Sequence, residues 1–584
     1  MPSMIRIGNA HGFWGDRIEA AAEMLQADPD LDYITLDFLA EVSLSIMASQ
    51  RQHDASLGYA TDFIDVVRTL VPYWRSGGKC RLVTNAGGLN PLGCARVCQE
   101  ILQAAGCDGR RIGVVSGDDV LSLLTNDTDS RSLDTLQSYD HVADRLMTAN
   151  AYLGAEPIVE ALSRGSDLVI TGRVADPSLT VGPCMHDFQW SPSDYQRIAG
   201  ATVAGHLIEC GRQVTGGIAT DWLSLPDAGG IGFPIVEVRE DGSCVVTKST
   251  GSGGQVTEST VKEQLIYEIG DPDVYLSPDA TVSFLSLNVQ QQSHDRVAVS
   301  GAKGQSPSET YKVSATYAAG FRAAGQLTIY GVDAQAKATR AAELVFETLK
   351  RDGATFQNQL VELLGTGACV VGTDRSDLGS AKEVILRIAV SDSDRRSVVK
   401  FTRAMMPLIT GGPPGTTGYA EGRPKVHPLI GYWPCLIRRD RVRWTVQILS
   451  IEGDLDRPSL EDSDSTQTTA PGGTQCGSSP REVLSSNSLN DIAHARSGDK
   501  GIHANIGVIA RESKQFDLLK SHVTRERVAE HLDVDVDAVL VYPMQNLAAI
   551  NFVILGILEN PLRTDAQGKT LGQQLLQLPL RHSI

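Results

Sequence analysis

The chain has 584 residues, 42% hydrophobic and 21% charged, with a formal net charge of -18. That length accommodates several domains and a substantial core. The negative balance excludes generic binding to nucleic acid or anionic lipid, both of which need positive potential. No apolar run approaches the roughly 20 residues of a bilayer span. The opening MPSMIRIGNAHGF lacks the charged-then-apolar pattern of a secretory signal, so a cytoplasmic protein is expected. The ten cysteines form no CxxC pair and read as buried thiols rather than a disulfide framework.

In chain order, a short apolar run at Met4–Gly8 leads through NAHGFWGD to a helix expected over Asp16–Leu25, with Asp16 and Glu19 as an N-cap and capping-box pair. Tyr33–Leu39 reads as the next strand. Arg81–Thr84 enters NAGGLNP and then a helix, and Ile112–Val115 and Asp167–Thr171 repeat the pattern. Such alternation predicts α/β architecture: a mostly parallel sheet flanked by helices over residues 1–220. A second, mixed α/β lobe is expected over 221–458. Its strand-like runs include Ile235–Val238 and Val384–Val390, with a helix near Ala334–Arg351. Residues 459–488, rich in Ser, Thr, Gly and Pro, predict a flexible linker. Residues 489–584 predict a small α+β domain with a polar turn, SGDKG, at Ser497–Gly501 between two apolar strands.

In parallel sheets ligands gather at the carboxyl ends of the strands, so the polar loops there supply the candidate site residues. GNAHGFWGDR offers His11, Asp16 and Arg17 beside glycines that let an anion approach backbone N–H groups; the alternative is a tight turn in which Asp16 only caps the helix. In TNAGGLNP, Asn85 and Asn90 can orient a carbonyl or simply form the turn. TGRVADPS places Arg173 and Asp176 directly after an apolar strand, as a carboxylate anchor and a base, or as a structural ion pair closing the turn. His206 and Glu209 stand at i,i+3; with no third ligand at a recognised spacing no metal is assigned, and His206 is a candidate acid or base or a core histidine. The Gly-rich stretch Ser249–Leu265 has the form of a phosphate-binding entry to a helix. Arg423 lies in a Gly/Pro-dense loop suited to closing over an acidic ligand. Asp499 and Lys500 place opposite charges on the C-terminal hairpin and complete the catalytic candidates. No GxSxG, HExxH, EF-hand or dinucleotide fingerprint is present, so neither a metal nor a nucleotide cofactor is implied.

The stretches GFWGDRIEAA, LDYITLDFLAE, NAGGLNP, ANAYLGAEPIVEAL, VITGRVADPSL, GHLIECGRQVTGG, GSGGQVTESTVKEQLIYEI and HARSGDKGIHANIGVIAR run from residue 8 to 511. In their order and number they resemble the acyclic terpene utilisation (AtuA-like) family. The resemblance implies a large N-terminal α/β region, a C-terminal ferredoxin-like domain, and genes that work beside acyl-CoA carboxylases and hydratases on branched terpenoid acids. It implies no catalytic residue list. The functional expectation is hydratase, dehydratase or lyase chemistry on a branched carboxylic acid or its CoA thioester, with the CoA moiety as part of the substrate. The alternative is a non-catalytic accessory subunit of a carboxylase, with the C-terminal domain as a tethered docking module. A homo-oligomer is expected on frequency alone.

Overall fold

The computed structural model describes residues 2–125, 130–367, 381–419, 422–451 and 488–580; the linker expected at 459–488 lies outside them except for Ser488. The organising element is a ten-stranded sheet. Its centre is parallel: β1 (Met4–His11), β2 (Tyr33–Leu36), β3 (Arg81–Thr84), β4 (Arg111–Ser116) and β6 (Leu168–Thr171), in spatial order β1-β2-β3-β6-β4. β2 and β6 are buried at every position, as strands covered on both faces must be. The helices Ala20–Ala27, Asp62–Arg75 and Pro91–Ala104 pack on one face; Glu156–Ser163, Ser178–Phe188 and Tyr195–Ile208 pack on the other.

Strands from beyond residue 220 extend this same sheet. β7 (Pro234–Arg239) runs antiparallel to β1, followed outward by β8 (Cys244–Lys248), Arg296–Ser300 and Asn288–Ser293. At the opposite edge Thr445–Ser450 pairs antiparallel with β4. The second sheet is built on the 21-residue strand Thr310–Tyr330, and it recruits β5 (Leu146–Ala151) from the N-terminal half through the pairing of Val313 with Ala151. Residue 220 is therefore not a boundary in either sheet: the two halves exchange strands.

The C-terminal sheet is antiparallel, in the order Ala493–Lys500, His503–Ala510, Ala549–Ile554, Val539–Met544. Side chains alternate across it. Ile506 and Val508 join the domain's own core under its helices, whereas Ile509 and Ala549 join the core of the main body. On the body-facing side Asn505 Oδ1 accepts from Glu268 N–H at 2.8 Å, and Asn505 Nδ2 donates to the Ile266 carbonyl at 2.9 Å. Asn551 Nδ2 donates to the Gly270 carbonyl at 2.6 Å. Arg511 forms a bidentate pair with Asp221 at 2.8 and 2.9 Å, and the Arg496 guanidinium lies 4.5 Å from the Tyr267 ring centre. The domain is thus docked on the body through the buried amides of Asn505 and Asn551 and a half-exposed Arg511–Asp221 pair.

Candidate functional site

A cavity of about 1260 Å³ opens where the carboxyl ends of β1, β2 and β6 meet the C-terminal hairpin. Gly12 and Asp16 come from the loop after β1, Asp37 and Leu39 from the loop after β2, and Arg173 and Asp176 from the loop after β6. His206 and Glu209 come from the end of the helix Tyr195–Ile208, Glu268 follows the helix Glu258–Leu265, Lys312 projects from the long strand, and Asp499 and Lys500 form the hairpin tip.

The hairpin reaches the cavity because its strand does not stop at Arg496. It continues to Lys500, and the turn is made by Gly501 at φ +64°. Of the two glycines in SGDKG only Gly501 serves the turn. Gly498 lies within the strand, where an added Cβ would come within 2.6 Å of the Tyr267 ring.

His206 is 2% exposed, and its Nδ1 lies 2.9 Å from Glu209 Oε1. Its Nε2 and the Glu209 Oε2 are buried with no hydrogen-bond partner. Tyr275 and Phe284 flank the imidazole, with ring centres 5.7 and 5.9 Å away. Burial, reinforced by the Lys500 ammonium, pushes the His206 pKa down to about 4, so the ring is neutral at neutral pH. Burial first, then the neighbouring Asp176 and Glu268 carboxylates, push Glu209 well above the usual carboxylate range.

Asp37 is raised by burial and by the adjacent Asp176, with Arg173 opposing. Its Oδ1 accepts from Asn85 Nδ2 at 2.7 Å and from Leu39 N–H at 3.1 Å. Arg173 is 3% exposed; it donates to Asp176 at 2.7 Å and to the Leu39 carbonyl at 2.8 Å, and it stacks 4.1 Å from the Tyr152 ring centre. Its backbone N–H is held by Asp118, whose pKa burial pushes up to about 6. Arg173 therefore fixes the loop that carries Asp176.

Of the residues singled out from sequence, the cavity gathers Asp16, Arg173, Asp176, His206, Asp499 and Lys500. The structure corrects the roles of the others. Asn85 spends its amide on Asp37 and on the Phe38 N–H at 2.8 Å, so it braces Asp37 instead of facing a ligand. His11 is fully buried and stacked on Phe38 at 4.7 Å, behind the cavity wall. Asn90 caps the helix Pro91–Ala104 through Gly93 N–H at 3.0 Å. Arg17 pairs with Glu23 at the surface, and Arg423 is exposed outside the cavity lining. Asp16 caps no helix: the helix begins at Ala20, while Asp16 accepts from Gly12 N–H at 3.3 Å and pairs with Arg212 at 3.1 Å.

Sequence reasoning passed over Asp37, Glu209 as a cavity residue, Glu268 and Lys312. Asp37 was hidden because the expected strand ran to Leu39, whereas β2 ends at Leu36 and leaves Asp37 in the loop. Glu268 and Lys312 carry no local signal. Glu268 reaches the cavity because its backbone adopts φ +54° where Asn505 holds its N–H. Among the described residues no cluster of three or more His, Cys, Asp or Glu side chains is arranged to hold a metal ion, and no helix is long and apolar enough to cross a membrane.

Fold and cavity together define a two-part α/β protein in which a small antiparallel domain completes a site at the carboxyl edge of a larger sheet. The chain matches the family model of the acyclic terpene utilisation family protein AtuA over residues 5–448, and the AtuA ferredoxin-like domain over residues 487–581; it belongs to this family. No curated protein and no solved structure matches it.

Proposed function

We propose that the chain is an enzyme that moves a proton next to the carbonyl of a branched carboxylic acid or of its CoA thioester, in a hydration, dehydration or related lyase step. The observation that carries this reading is the unpartnered Nε2 of the buried, cavity-lining His206, with Nδ1 engaged by Glu209. A neutral ring whose Nδ1–H is accepted by a Glu209 carboxyl oxygen presents a lone pair at Nε2, the arrangement of an oriented general base. Asp37, with its pKa raised, is the complementary acid. A base and an acid pushed in opposite directions within one cavity supply the two protonation states that an elimination needs. In dehydration the α-proton passes to His206 Nε2, the Lys500 ammonium offsets the enolate charge, and the β-hydroxyl leaves as water with the proton from Asp37.

The test is exchange of the α-proton in deuterated water, followed by NMR, for branched 3-hydroxy acids, the corresponding 2-enoic acids and their CoA thioesters. The expected outcome is exchange with the wild-type chain and its loss in His206→Asn at unchanged melting temperature. Undiminished exchange in that variant, or none with any of these compounds in the wild type, overturns the reading.

A further inference from the structure

The imidazole of His206 has a second polar neighbour in the cavity, the phenol of Tyr275. Tyr275 opens the short strand Tyr275–Leu276, where it pairs with Val282. The segment leading to it is tied down at several points. Asn505 holds the Glu268 N–H at 2.8 Å, and Asn551 Nδ2 donates to the Gly270 carbonyl at 2.6 Å. Beyond the strand, Phe284 N–H donates to the Pro272 carbonyl at 2.8 Å and closes the segment into a loop. A side chain carried on a loop held in this way keeps a fixed place in the cavity wall.

The ring of Tyr275 packs at 5.3 Å from that of the fully buried Phe284 and at 5.7 Å from the imidazole, measured between ring centres. An aromatic residue placed so spends its apolar body on packing and leaves its hydroxyl in need of a partner. Tyr33 has found one, donating to Asp187 at 2.8 Å. Tyr275 has not: among the described residues its hydroxyl makes no hydrogen bond, and it is not sealed from solvent, so it opens on the cavity. Burial first, then Glu209, Asp176, Cys210 and Glu268, hold the phenol well above its usual pKa. All four of those groups line the same cavity, which places the hydroxyl on its floor. It is therefore a neutral donor at neutral pH and not a base.

We infer that Tyr275 is a further catalytic residue of this site, donating its phenolic O–H to the substrate's carbonyl oxygen while His206 Nε2 takes the α-proton. The inference deepens the acid–base reading and rests on it. As the α-proton leaves, negative charge grows on the carbonyl oxygen, two bonds from the α-carbon. Base and donor must therefore be close neighbours, as two rings with centres 5.7 Å apart are. A donor already in place stabilises the enolate more than the ground-state carbonyl, and so lowers the barrier rather than tightening substrate binding. Lys500 supplies charge to the enolate, and Tyr275 supplies the directed hydrogen bond.

The experiment compares Tyr275→Phe with the wild-type full chain in α-proton exchange on the same branched acids and CoA thioesters. The melting temperature and the His206 imidazole titration, followed by NMR, are measured alongside. The variant keeps the ring against Phe284 and His206 and removes only the oxygen. The expected result is a fall in kcat for exchange of about 10²–10³-fold, the usual cost of losing one oxyanion donor. KM, the melting temperature and the His206 titration are expected to stay close to those of the wild type. Exchange at the wild-type rate overturns the inference. A loss seen in KM or in the melting temperature instead marks a packing role, and a loss with a shifted His206 titration marks an effect through the imidazole; both also overturn it. Each of these outcomes leaves the acid–base reading standing, whereas absence of exchange in the wild-type chain removes both.

Discussion

His206 Nδ1 and Glu209 Oε1 lie 2.9 Å apart at the end of one helix, and the far nitrogen of that imidazole is buried without a hydrogen-bond partner. Two residues three apart share a helix face, so this pairing is local. What makes it reactive in kind is the surrounding cavity, which strips water from both groups and sets Lys500, from a strand nearly 300 residues later, against the ring.

His206→Asn is expected to lower turnover by about 10²–10⁴-fold, the usual contribution of a positioned acid or base. Glu209→Gln keeps the side-chain shape but replaces the carboxyl group that orients the ring with an amide. Its signature is a smaller loss in kcat with an altered pH profile and little change in KM, measured by steady-state kinetics across pH.

Lys500→Met removes the second-largest cause of the depressed His206 pKa after burial. The imidazole titration, followed by NMR, is expected to move up from about 4 towards its ordinary value. Lys500 also holds Glu209 down, so the Glu209 carboxyl moves further up in the same variant. A His206 titration unmoved by this substitution would show that the hairpin tip does not act on the dyad.

Gly507→Ala places a Cβ 2.2 Å from Ile266 Cδ1, on the buried face where the C-terminal sheet meets the body. Overpacking of this kind costs about 1–3 kcal/mol. Asn505→Ala strands the Glu268 N–H and the Ile266 carbonyl, at about 1–3 kcal/mol for each buried group left unsatisfied. Both variants are expected to loosen the docking of the C-terminal domain, read as faster limited proteolysis ahead of the global urea transition, and to reduce activity because Lys500 leaves the cavity and Glu268 loses the Asn505 contact that sets its backbone.

The docking interface also titrates. Burial, helped by Arg511, pushes His494 down to about 4, with Asp221 and Glu263 carboxylate oxygens 3.5 and 3.6 Å from its Nδ1. Burial pushes Glu263 up to about 7. For His494 the unfolded chain binds the extra proton, so its contribution is complete above pH 6.5 and is lost as pH falls towards 4. For Glu263 the folded chain binds it, so its contribution is present below pH 4.5 and is lost as pH rises through 7. Each is on the order of 3 kcal/mol. Denaturation at several pH values is expected to show the acid-side loss shrink in His494→Gln and the alkaline-side loss shrink in Glu263→Gln.

Much of the frame was legible in residue order. Buried β2 and β6, the helix Ala334–Arg351 and the strand Ala549–Ile554 all follow from local apolar runs and helical spacing. The loops after β1 and β6 were identifiable as site loops because parallel strands open their carboxyl ends to ligand. Asn85, Asn90 and His11 were misassigned for a common reason. A polar residue in a turn looks the same in sequence whether its hydrogen bonds go to a ligand or inward, and these residues turn inward to Asp37, to a helix start and to the ring of Phe38.

By itself the sequence determined the alternation of strands and helices, the polar strand-end loops and the charged hairpin, because periodicity and turn chemistry act over a few residues. Tertiary structure alone decided that β5 and Thr445–Ser450 cross between the halves, and that Asp37, His206, Glu268 and Lys500 share one cavity. These outcomes depend on which buried faces and unsatisfied backbone groups find one another across hundreds of residues, and no local window of the chain carries that information.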